Sequence, residues 1–221
     1  MSLILYGSAS AYSYAIFQAK AGEVKYATGV MLQISEVTRS IISEGGGSAS
    51  VQFGFRYGLL TVNSSDVFKV VANGETVYSE KRFLIQYTMN YVLYPPQPIF
   101  DKGFELKAYY TDVDEGNIVY HQSLSGRTYI TFEQRPVITT STSGGLTILH
   151  ILLVEFSPPI VPLALNSGPI LLRFKDTTLK NGVYPSGIQL LVQYGDQTGQ
   201  INISGSCMMY LHVVTVSIEP F

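Results

Sequence analysis

Tryptophan is absent from these 221 residues, cysteine occurs once, and Asp, Glu, Lys and Arg together supply only 14% of the chain. Each shortage excludes something. A single cysteine, Cys207, cannot close an internal disulfide, so this is not a bridge-stapled secreted scaffold, and its apolar neighbours make it a small buried thiol. The 14 basic residues are scattered, with Lys81-Arg82 the only adjacent pair, which leaves no electrostatic footprint for nucleic acid or an anionic membrane. No run approaches the ~20 apolar residues of a membrane span. Met1 to Tyr6 lacks the basic start and the length of a signal peptide, so the mature chain is expected to be the whole chain.

What is present is apolar and aromatic. Hydrophobic residues make up 46% and tyrosine occurs 16 times. With so little charge, a monomer has little polar material for its surface, so part of that surface is expected to lie against other subunits, where tyrosine suits a half-buried place.

The segment 1–47 is expected to be an N-terminal arm or the first strands, ending in a glycine hinge. Alternation at Val24, Tyr26 and at Val30, Leu32, Ile34 suits strands, while Ile34 to Ser43 could make two turns of helix. Gly45-Gly46-Gly47-Ser48 breaks the chain; no Gly-Lys-Ser/Thr follows, so it is not a phosphate loop.

The segment 48–221 reads as strands. Val51, Phe53, Phe55, Tyr57 and Leu59 alternate with small or polar residues. Asn73-Gly74, between VFKVVA and ETVYSE, is the signature of a two-residue hairpin turn needing positive φ twice. FLIQYTMNYVLY (83–94) ends at Pro95-Pro96, and Phe104 to Tyr110 with Ile118 to His121 brackets an acidic loop. Thr147 to Phe156, TILHILLVEF, is nearly all apolar and reads as a strand buried on both faces, followed by the proline-studded SPPIVPLALNSGP (157–169). The closing CMMYLHVVTVSIEPF reads the same way. About a dozen strands with regular turns and few or no helices predict an all-β, antiparallel β-sandwich. Length, missing Cys and Trp landmarks and proline-rich crossovers favour the jelly-roll type over the immunoglobulin type.

Chemistry finds little purchase. His121, His150 and His212 lack the short spacing of a metal site on one element, although a fold could still bring them together. Asp112, Asp114 and Glu115 resemble half a calcium loop without its remaining ligands and read as a solvated hairpin loop. Glu155, with apolar neighbours, is the one acid whose pKa could be raised as a general acid's is, and a strand-end carboxylate facing water explains it more cheaply. No Gly-x-Ser-x-Gly elbow occurs. Tyr87, Tyr91 and Tyr94 alternate and could form a carbohydrate-stacking platform, the basis of a lectin-like alternative, an adhesin or receptor-binding head; core and subunit contact is the plainer account. The sequons at Asn63 and Asn202 read as exposed turns. No catalytic, cofactor-binding or metal-ligating residue is assigned, and the chain is not expected to be an enzyme.

In its general character, including MSLILYGSASAYSYAIF at the start and the SPPIVPLALNSGP connection, the whole chain resembles viral capsid jelly rolls. More narrowly it is similar to the penton-base and turret vertex proteins of icosahedral archaeal viruses of the Sulfolobus turreted type. The resemblance implies a structural virion protein, assembled in the host cytoplasm, with five subunits around a vertex in contact with the major capsid protein and other vertex proteins. Apolar aromatic surface suits permanent subunit contacts, and few carboxylates leave few acids to protonate in an acidic habitat. The sparse charge departs from the ion-pair enrichment usual in hyperthermophile proteins.

Overall fold

The computed structural model describes residues 2–92, 106–157 and 163–220, with the backbone alone for residues 2–9, 113 and 114. Pro95, Pro96 and Tyr94 lie outside the described residues, as does much of the proline-rich connection. In chain order the elements are α1 (Ser2–Glu44), β1 (Ser48–Gly54), β2 (Gly58–Ala72), β3 (Glu75–Met89), α2 (Val113–Gly116), β4 (Asn117–Leu124), β5 (Arg127–Gln134), β6 (Val137–Ser143), β7 (Leu146–Ser157), β8 (Ala164–Leu165), β9 (Ser167–Tyr184), β10 (Ile188–Tyr194), β11 (Gln197–Ile203) and β12 (Cys207–Pro220). The expected all-β sandwich is there: one sheet runs β1-β9-β12-β7-β6, the other β11-β10-β2-β3-β5-β4, with β8 on β2. All ladders between these strands are antiparallel except β7–β12, which is parallel over Cys207↔Thr147 to Ser217↔Ser157.

The segment that alternation suggested as strands is helix. In α1 the buried positions are Ala21, Val24, Ala27, Val30, Met31, Ile34, Thr38 and Ile41, a spacing of three and four that matches one helical face. Thr38 can be buried because its hydroxyl donates to the Ile34 carbonyl at 2.8 Å. The helix stops where Gly45 takes positive φ, its N–H donating to the Ile42 carbonyl while that of Gly46 donates to Ile41, both at 3.2 Å.

Two hydrophobic cores lie along the long strands. One gathers the buried face of α1 with Phe53, Leu60, Ile85, Tyr87, Phe132, Phe156, Leu172 and Val216. The other joins Phe68, Val70, Leu149, Ile151, Leu190, Val192, Met209 and Leu211. Along β7 the inward residues are 149, 151 and 153, then 154 and 156; along β12 they are 207, 209, 211 and 213, then 214, 216 and 218. Because side chains alternate across a strand, the two cores sit on opposite faces of the same sheet. Neither strand is covered on both sides along its length, as its unbroken apolarity suggested. Each face is used in turn, so both parities must be apolar. A β-bulge between Ser64 and Val67 of β2 makes a matching change in the other sheet.

The Asn73-Gly74 turn has φ of 48° and 86°, as the two-residue hairpin requires. The acidic stretch is a single helical turn, α2, rather than a hairpin loop, because the chain before it bridges Tyr110 to Val137 instead of pairing with β4. The two sequons lie on strands, not turns: Asn63 in β2, where its side chain bonds Thr61 and Gln86, and Asn202 in β11.

Candidate functional site

α1 is packed over only part of its length. Ser10 to Ala15 are exposed on every side, Tyr12 and Tyr14 by 69% and 65%, and Ile16 and Phe17 are only half-covered. The packed part begins near Lys20, whose ammonium stands 3.8 Å from the centroid of the Tyr91 ring. Glu23 then accepts the backbone amides of Arg56 and Tyr57 at 2.8 and 2.9 Å and the Tyr87 hydroxyl at 2.8 Å. No charged residue precedes Lys20 in the sequence. At 1.5 Å per residue, residues 2–19 make about 27 Å of uncharged helix. A helix without a polar face is ordinarily buried against something.

A second unpartnered surface lies on the five-stranded sheet. Where β7 and β12 use odd-numbered residues for the inner core, the even-numbered ones face outward. The parallel register places Tyr210 beside His150 and His212 beside Leu152. The fold therefore joins the two histidines that the sequence holds 62 positions apart. The His150 and Tyr210 rings stack with centroids 5.4 Å apart, and His150 and His212 are 6.0 Å apart. Across the β12–β9 ladder His212 meets Leu179 and Met208 meets Val183, and these two β9 residues are 53% and 64% exposed. A shallow groove of about 420 Å³ is lined there by Ile42, Val137, Thr139, His150, Leu152, Thr177, His212 and Val214, with no Asp, Glu, Lys or Arg among the described lining residues. His121 stands apart on β4 in the other sheet, where burial lowers its pKa. Among the described residues no group of three or more His, Cys, Asp or Glu is placed to hold a metal ion.

Charge is concentrated where the cores change faces. Arg82 is fully buried: its Nη2 donates to the carbonyls of Gln134, at 2.9 Å, and Val154, while Nε and Nη1 have no partner among the described residues. Burial lowers its pKa against the opposing fields of Tyr194 and Glu133. Arg135 pairs with Glu133 and lies 4.0 Å from the Tyr194 ring centroid. Arg82 also lines a cleft of about 220 Å³ with Glu155 and Thr215. Glu155 carries a carboxylate oxygen without a partner among the described residues, and burial, then Asp176, raises its pKa. Among the described residues the other carboxylate lining that cleft is Glu80, inside β3, while Glu155 lies near the end of β7.

Other sequence candidates fall elsewhere. Tyr87 is buried and bonded to Glu23 and Tyr91 is half-covered beneath Lys20, so neither offers a stacking face. Cys207 is fully buried, which raises its pKa and leaves it a poor nucleophile. Asp112 precedes α2 and Glu115 lies within it, both exposed, and the side chain of Asp114 lies outside the described residues. From sequence the N-terminal segment read as an arm or first strands rather than a helix, with its uncharged stretch before Lys20 as the visible sign, and nothing marked the outward sheet face. Among the described residues no helix is long and apolar enough to cross a membrane. No protein-family model, curated protein or solved structure matches this chain.

Proposed function

We propose that this chain is a non-enzymatic assembly protein whose copies associate through the projecting part of α1 and present the β-sandwich as the body of the particle. The observation that carries the reading is the exposure of Ser10 to Ala15 all round a helix with no charge before Lys20. Packing against other chains takes the apolar and aromatic surface of such a segment out of water. Tyr12, Ser13, Tyr14 and Gln18 also bring hydroxyl and amide groups, which protein neighbours can satisfy and hydrocarbon cannot.

In its specific form the proposal is a structural virion protein at a capsid vertex, penton base or turret, beside the major capsid protein. That form rests on the resemblance in character, while the assembly reading rests on the helix. The test is native mass across a concentration series for the full chain and for a form lacking residues 2–19. Rings or larger assemblies that disappear with the segment support the reading; a full chain that stays monomeric at every concentration refutes it.

A further inference from the structure

The geometry points to the occupant of the outward sheet face: the projecting α1 segment of a second copy of this chain. This deepens the assembly reading above and rests on it. The groove beside His150 and His212 is bordered by Ile42, at the C-terminal end of α1. The projecting segment begins at the other end of the packed helix, beyond Lys20. Lys20 and Ile42 are 22 residues apart on one continuous helix, about 33 Å, so a molecule cannot lay its own segment in its own groove. Donor and acceptor sit at opposite ends of each copy.

They match in size and chemistry. Ser10 to Lys20 span about 16 Å of helix about 10–12 Å wide. The open face spans four strands, β6-β7-β12-β9, about 14 Å across, and about 20 Å along Leu146 to Leu152. Neither carries an Asp, Glu, Lys or Arg apart from Lys20 at the donor's end, and each exposes apolar or aromatic groups: Tyr12 and Tyr14 on one, Leu179, Val183 and Tyr210 on the other. The site also continues a contact each chain already makes. The same even-numbered face, from Val154 to Phe156 and Val214 to Ile218, shares a core with α1 within the molecule. A helix of one copy on the sheet of the next is a heterologous contact, which generates a ring when the rotation closes and a filament when it does not.

The experiment uses full-length chains with Cys207 replaced by alanine. Tyr14→Cys and Leu179→Cys variants are mixed at assembling concentration and oxidised, and each is oxidised alone. The expected result is a disulfide joining Tyr14→Cys chains to Leu179→Cys chains, with little product from either alone. A second variant, Leu179→Lys with Val183→Lys, buries charge under the helix and is expected to weaken assembly at least about tenfold with the folded spectrum retained. Assembly that persists with Tyr14→Cys chains joined only to one another, and that ignores the two lysines, overturns this inference and leaves the assembly reading standing. Flotation of the unmodified chain on phosphatidylcholine vesicles, without the mixed disulfide, assigns the segment to lipid and overturns it too. Absence of assembly in the unmodified chain overturns both.

Discussion

The Glu23 carboxylate accepts a hydrogen bond from the Tyr87 hydroxyl at 2.8 Å and closes a clamp that also holds the amides of Arg56 and Tyr57. One acid thereby fixes α1 to the β1–β2 turn and to β3, at the point where the helix leaves the body. Glu23→Ala removes three acceptor contacts and leaves the buried Tyr87 hydroxyl unpaired. The expected cost is about 2–3 kcal/mol, read by urea unfolding. Tyr87→Phe in the Glu23→Ala background should cost less than Tyr87→Phe alone, because the shared bond is already gone.

Gly58 lies under the Tyr87 ring, and a Cβ built there meets the ring carbons and hydroxyl. Tyr87 is buried and cannot move aside without breaking the Glu23 bond. Gly58→Ala should destabilise by about 1–3 kcal/mol, whereas Gly54→Ala, where a Cβ meets no atom of the described residues within 4 Å, should stay near wild type.

The buried Arg82 and the Glu133–Arg135 pair should respond in opposite ways to mutation. Arg82 is buried beside Phe68 with two nitrogens that have no partner among the described residues, so Arg82→Met should be neutral within about 1 kcal/mol or stabilising. Glu133→Ala leaves two buried guanidinium groups uncompensated and should cost about 3–5 kcal/mol. Chemical denaturation of the two variants side by side makes the comparison.

Burial raises the pKa of Glu155, so the folded protein holds this proton at pH values where the unfolded chain has released it. Its contribution to stability is therefore present below the ordinary carboxyl value of about 4.3 and is lost as pH rises through the raised folded value. Glu155→Gln should match the wild type in melting temperature at the acidic end and exceed it at neutral pH. Equal melting curves at both pH values would contradict this.

The sandwich was legible because exposed and buried residues alternate along β1 and β10 and because Asn73-Gly74 specifies its own turn. The helix was not, since Val24, Val30 and Ile34 fit a period of two as readily as the three-and-four spacing they adopt, and tertiary contact with Tyr87 and Phe55 decides between them. In β7 and β12 apolar residues at both odd and even positions signalled a change of core face, which looks the same in sequence as burial on both sides. The meeting of His150 with His212 depends on the parallel register of two strands far apart in the chain, and no local pattern encodes it.

The most direct test of the account is a sedimentation comparison of the wild type with Ala11→Glu/Ala15→Lys. An acid four residues before a base favours helix, net charge is unchanged, and both positions are exposed. The account predicts an unchanged melting temperature for the folded body and loss of the assemblies formed by the wild type. Assemblies of the same size in both proteins would contradict it.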